Sequence, residues 1–124
     1  MSKYILILFL NSFAILYAFG FDTYDEALKL QQQNDKIIMI DVMRSDCHYC
    51  AKMAALFENN ENAKWIKARF IPVKLNLDFD DLPLGLNVFV TPSFFFVNKN
   101  QKILKKIVGA FSMQDFKDLT KNIK

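Results

Sequence analysis

Cysteine is scarce: the 124-residue chain has only Cys47 and Cys50. Two cysteines cannot build the framework of bridges that staples small secreted domains. Histidine is scarcer still, with His48 alone. A closed zinc site takes about four ligands of these types, which the chain cannot supply from Cys and His. Charge of one sign is never concentrated, because the 16 basic and 13 acidic residues are interleaved and the net charge is only +3. That argues against a polybasic arm, so no nucleic-acid partner is expected. Arginine is limited to Arg44 and Arg69, and the other basic residues are lysines. Internal repeats and low-complexity linkers are lacking.

Apolar residues, by contrast, make up 52 % of the chain. That is enough for a compact core and argues against disorder over the whole length. The length suits one domain.

The N-terminus has the layout of a targeting segment. Met1, Ser2 and Lys3 form a short positive start, and residues 4–17 are apolar except for Asn11 and Ser12. Ala18-Phe19-Gly20 then offers a small-x-small cleavage pattern. A secretory signal peptide over residues 1–20, cut after Gly20, is expected, leaving a domain of residues 21–124. An uncleaved membrane anchor is the alternative, since the run is near the lower limit for spanning a bilayer. With no cysteine at the segment's end, a lipid-modified cysteine there is excluded. Either reading places the domain outside the cytoplasm, in a bacterium the periplasm.

Along the remainder, Thr23 and Glu26 form a capping box for a helix over Tyr24 to Gln33. Ile37 to Val42 is an apolar run that reads as a strand buried on both faces, broken only by Asp41. A short loop follows, then helix from Cys47, an interruption at Asn59-Asn60, and a second helical piece to Ala68. Phe70 to Leu77 reads as a strand, with Val73, Leu75 and Leu77 alternating against Lys74 and Asn76. Asp78 to Pro83 is an acidic turn. Ser93 to Val97 and Ile103 to Val108 form a hairpin around Asn98-Lys99-Asn100. Ser112 opens a last helix with Phe116, Leu119 and Ile123 as its buried stripe. Trp65 and the many Phe residues are read as core.

The two cysteines stand three positions apart. At the start of a helix, the first sulfur lies near free backbone N–H groups, which favour its thiolate. The second lies one turn on, close enough to close a disulfide ring. One sulfur can attack and the other resolve. A pair of buried cysteines with no role is the bland alternative. Metal binding is a second, since Cys47, His48 and Cys50 are all possible ligands.

The segment Asp41-Val42-Met43-Arg44-Ser45-Asp46-Cys47-His48-Tyr49-Cys50-Ala51-Lys52 resembles the active-site segment of the thioredoxin family. Val73 to Asp78 looks like that family's third strand. Val90-Thr91-Pro92-Ser93-Phe94-Phe95-Phe96 looks like its cis-proline loop and the following strand. Val108-Gly109-Ala110-Phe111 resembles the turn before its last helix. The resemblance implies an α/β, thioredoxin-like fold, a central mixed β-sheet flanked by helices. It implies Cys47 as nucleophile and Cys50 as resolving thiol. Asp41 matches the family's buried acid, and a carboxyl in an apolar strand should have a raised pKa. Lys74 matches the lysine near that acid. Pro92 matches the cis-proline beside the disulfide, and Thr91 would supply backbone groups to an extended substrate.

Three positions depart from thioredoxins. Asp46 replaces the usual Trp and should oppose thiolate formation at Cys47. His48-Tyr49 replaces Gly-Pro, and a protonated His48 should favour the thiolate and a more oxidising pair. Tyr49 and Thr91 look more like exported Dsb-type proteins. The implied activity is thiol–disulfide exchange with protein disulfides, as a reductase, with no cofactor or metal beyond the Cys47–Cys50 disulfide itself. A membrane electron donor and a monomeric state are expected. The alternatives are a disulfide-donating oxidant and a copper(I)-handling or other metal-handling module on the same fold.

Overall fold

The computed structural model describes residues 19–124. The expected signal segment therefore lies outside the described residues except for Phe19 and Gly20. Helix α1 spans Tyr24–Asn34, and strand β1 spans Ile37–Met43. Helices α2 (His48–Glu58) and α3 (Asn60–Arg69) lead to β2, Phe70–Asn76. A short 3-10 turn, Pro83–Gly85, precedes the hairpin of β3 (Ser93–Val97) and β4 (Ile103–Val108). Helix α4, Met113–Thr120, follows. Among the described residues no helix is long and apolar enough to cross a membrane.

The sheet has the order β2-β1-β3-β4. β1 runs parallel to β2, with Ile37 opposite Phe70 and Met43 opposite Asn76. It runs antiparallel to β3, and β3 antiparallel to β4. The sheet is thus mixed and flanked by helices, as the resemblance implied. β1 is central and buried along nearly its whole length, which explains its unbroken apolar run. β4 is an edge, where only Ile107 is buried and Lys105 and Lys106 blunt the open side.

Each face of the sheet carries its own core. One cluster joins Met39, Phe94 and Phe96 to Met53 and Phe57 of α2, Ile66 of α3 and Phe116 of α4. The rings of Phe57, Phe94 and Phe116 meet edge-on or tilted, with Phe57 and Phe116 centroids 4.9 Å apart and Phe57 and Phe94 5.7 Å apart. The other cluster joins Ile38, Ile40, Val42 and Val73 to Tyr24 and Ala27 of α1.

Local chemistry sets the boundaries. Thr23 Oγ1 accepts from the Glu26 N–H and donates to Glu26 Oε1, so Glu26 reaches back to the Thr23 side chain. Asn59 breaks α2 from α3 because its side chain accepts from Glu61 N and Asn62 N and caps the new helix. Asn98 holds the hairpin, its Oδ1 accepting from Asn100 N and Lys102 N.

β2 alternates where expected, with Val73 and Leu75 buried and Lys74 and Asn76 half-buried, while Phe70, Ile71 and Pro72 ahead of them are all buried. One expected pattern differs in the folded chain. The buried stripe of α4 is Phe116 and Thr120, with Leu119 and Ile123 only partly covered. Thr120 can go inside because its hydroxyl donates to the Phe116 carbonyl at 2.8 Å.

Phe19 and Gly20, which precede the boundary expected at Phe21, are among the described residues. Phe19 is buried against Phe57, with ring centroids 6.0 Å apart. Phe21 extends the sheet as a parallel bridge to Val73.

Candidate active site

The site forms where the parallel strands end. The chain leaves β1 after Met43 and turns through Arg44, Ser45 and Asp46 into α2. Three hydrogen bonds pin this loop and the end of β1 to the end of β2 and the chain just beyond it. Ser45 N donates to Asp78 Oδ2 at 3.1 Å, Asn76 Nδ2 to Ser45 Oγ at 3.0 Å, and Leu77 N to Met43 O at 2.8 Å. The acidic turn is therefore a support for the active loop, which its composition alone did not reveal.

Cys47 is the N-cap of α2, and its Sγ accepts from the Cys50 N–H at 3.2 Å. Cys47 and Cys50 are joined in a disulfide, with Cα atoms 5.2 Å apart. The two sulfurs are unequal. Cys47 is half-buried, whereas Cys50 is only 4 % exposed. An incoming thiol or disulfide can meet the outer sulfur and not the inner one. The cap position gives the outer sulfur N–H donors and the positive end of the helix dipole, both of which stabilise a thiolate.

Asp41 lies beneath this helix. It shares the β1 face of Met39, the face that α2 covers, and is 5 % exposed. Its register neighbours are Lys74 on β2 and Phe94 on β3. Burial pushes its carboxyl up from the ordinary 3.8 to about 7, and the charge of Lys74 pulls the other way without winning. Its Oδ1 has no hydrogen-bond partner among the described residues. A buried, unpartnered oxygen that changes protonation near neutral pH can take and return a proton.

Thr91 and Pro92 form the other wall. The Thr91–Pro92 peptide bond is cis. The Thr91 hydroxyl donates to Cys47 Sγ at 3.3 Å, and its carbonyl oxygen lies 3.7 Å from that sulfur. Ser93 Oγ donates to Val90 O at 2.6 Å, and Gly109 N to Pro92 O at 2.9 Å, so the loop is held from both sides. The resemblance implied a backbone role for Thr91; the hydroxyl contact was missed, and a Thr rather than an apolar residue before the proline was the only signal for it.

Asp46 and His48 flank the disulfide and are both exposed. Tyr49 is 59 % exposed and borders an open groove of about 670 Å³ that runs between α2 and Phe111. Phe89 and Val90, just before Thr91, are 86 % and 57 % exposed. Neither residue stood out in the sequence, since an apolar pair in a loop reads equally as core. The structure thus gathers Asp41, Cys47, Cys50, Thr91 and Pro92 at one end of the sheet, with Lys74 beside Asp41 and with Asp46, His48 and Tyr49 around the sulfurs.

A disulfide capping a helix, over a buried acid and beside a cis-proline loop, defines a thioredoxin-like dithiol site. The model of a family described as "Thioredoxin-like domain" matches residues 24–124, and the chain belongs to that family. A comparison with curated proteins gave no match. Similar solved structures include a thioredoxin from Thermus thermophilus, at 23 % identity and a TM-score of 0.69, covering 84 % of this chain and 85 % of that one. A Schistosoma mansoni thioredoxin pre-protein in its reduced form is similar at 25 % identity and a TM-score of 0.63, covering 85 % and 94 %. A structure titled DsbH oxidoreductase is similar at 18 % identity and a TM-score of 0.66, covering 82 % of each chain.

Proposed function

We propose that this protein is an exported thiol–disulfide oxidoreductase that reduces disulfides in protein substrates. The observation that carries the reading is the pairing of a reachable Cys47 with a buried Cys50 at the helix start, over Asp41.

The cycle uses the chain's own groups. The Cys47 thiolate attacks one sulfur of a substrate disulfide. That bond breaks, a mixed disulfide forms, and the departing substrate sulfur takes a proton. Asp41 as carboxylate accepts the Cys50 proton, and the Cys50 thiolate attacks Cys47 Sγ. The second substrate thiol leaves and takes a proton. Two electrons have passed from the enzyme dithiol to the substrate, and the enzyme disulfide is restored. A membrane-bound dithiol donor outside the cytoplasm returns those electrons. Thr91 and Pro92 align the substrate backbone, and the exposed Phe89 and Val90 offer it an apolar surface. The protein acts as a monomer.

Trapping tests the reading. A Cys50→Ser variant, expressed in its own cell, should accumulate mixed disulfides between Cys47 and protein thiols. Recovery of small thiols alone counts against a protein substrate. The redox potential sets the direction: a value near thioredoxin's, about −270 mV, supports reduction, and one near about −120 mV makes the protein an oxidant. Copper retained in stoichiometric amount, with no reduction of insulin, replaces the enzyme reading with a metal-handling one.

A further inference from the structure

Phe19 and Gly20 are working parts of the fold. Phe19 is 9 % exposed, and its ring stacks on Phe57. Lys67 Nζ stands 5.8 Å from the centroid of the same ring. Gly20 passes so close to β2 that a Cβ there would lie 2.7 Å from the Pro72 carbonyl oxygen. Only glycine follows that path without moving the backbone. Phe21 N then donates to Pro72 O, and Lys74 N to Phe21 O, each at 2.9 Å.

These two residues also complete the only small-x-small pattern at the end of the apolar segment, Ala18-Phe19-Gly20. A cut after Gly20 would take Phe19 out of a packed ring cluster and leave a void against Phe57. It would also remove the glycine that lets the chain lie against Pro72. Processing and folding thus compete for the same two residues. A cut after Ala18 would spare them, but it puts Leu16 where the pattern wants a small residue.

We infer that the segment before Phe19 is retained and holds this domain on the lipid bilayer. Residues 4–18 are short for a span, a mismatch of the kind that local thinning of the bilayer absorbs.

Topology then orients the disulfide. Phe21 bridges β2 in parallel, so the chain before it runs back toward the N-terminal ends of β1 and β2. Cys47 follows their C-terminal ends. The length of β1 separates the two ends by about 20 Å. The anchored domain presents its disulfide away from the membrane, toward polypeptides in the compartment beyond.

The inference rests on the core and not on the redox reading, and one preparation tests the two separately. The full chain, with a C-terminal epitope tag, is expressed in a Gram-negative bacterium. The expected product stays in carbonate-washed membranes, and its intact mass includes the residues before Phe19. A product that begins at Phe21 or at Phe19, in any fraction, overturns the inference. In the same detergent-solubilised full chain, Phe19→Ala should lower the thermal midpoint by roughly 5 °C or more, and Phe19→Leu should recover most of it. An unchanged midpoint in Phe19→Ala removes the packing argument and overturns the inference as well. Alkylation of Cys47 after reduction reads the redox site independently of where the chain begins.

Discussion

Asp41 and Lys74 sit opposite one another across the parallel β1–β2 pair, the acid buried and the base half-exposed. An ion pair here would be unremarkable if the acid were ionised. Burial outweighs the lysine instead, and the carboxyl is held up to about 7. The pair is therefore poised at neutral pH, with a carboxylate that is present part of the time.

That poise ties stability to pH. Asp41 has its ordinary value of 3.8 in the unfolded chain and about 7 in the fold. Between those values the folded protein holds a proton that the unfolded chain has released. Stability therefore falls as pH rises through this window, by up to about 1.4 kcal/mol per pH unit, and is flat above it. Asp41→Asn should abolish this slope and make the oxidised protein more stable than wild type at pH 8. Urea midpoints of both proteins at pH 4.5, 6 and 8 check this. Parallel curves would mean that Asp41 is not the buried titrating group.

Lys74 acts on the site through Asp41. Lys74→Met removes a nearby positive charge and should raise the Asp41 pKa further. The pH profile for release of the mixed disulfide should then move to higher pH, while attack by Cys47 keeps its own profile. Single-turnover kinetics with a fluorescent disulfide peptide separate the two steps. A shift in neither would leave Lys74 as a solvated surface charge.

The parts of this molecule legible in its sequence are those where local chemistry and tertiary need agree. Ile37 to Val42 read as a doubly covered strand because no solvent face interrupts it, and Asp41 stood out as the one group without an apolar reason to be there. Asn59, Asn98 and Ser112 marked boundaries through short-range caps. What stayed hidden depends on meetings between distant segments. Ser45 with Asp78 and Thr91 with Cys47 are 33 and 44 positions apart. The burial of Thr120 needed knowledge of where its hydroxyl would bond, and that of Phe19 needed the sheet edge it lies against.

Asp46 and His48 are exposed on either side of Cys47, so each acts on the thiolate through solvent. Asp46→Asn should lower the Cys47 thiol pKa, and His48→Asn should raise it. Each shift should shrink on going from about 10 mM to 1 M salt, as the screening length falls from about 30 Å to 3 Å. The pH dependence of iodoacetamide alkylation at both ionic strengths measures this. A shift that does not change with salt would point to a direct hydrogen bond rather than a through-solvent field.

Thr91 is a stronger lever, because its hydroxyl donates directly to Cys47 Sγ at 3.3 Å. A hydrogen bond to the charged form favours it, and hydrogen bonds to charged groups contribute more than neutral ones. Thr91→Val keeps the branched shape beside Pro92 and deletes the donor. The Cys47 thiol pKa should rise by roughly one unit, about 1.4 kcal/mol, and this shift should persist at high salt. Because the disulfide is then formed from a less stabilised thiolate, the pair should become less oxidising. Alkylation rates against pH give the first quantity, and equilibration with glutathione gives the second. A fall in reactivity with no change in thiol pKa would assign Thr91 to shaping the loop rather than to stabilising the sulfur anion.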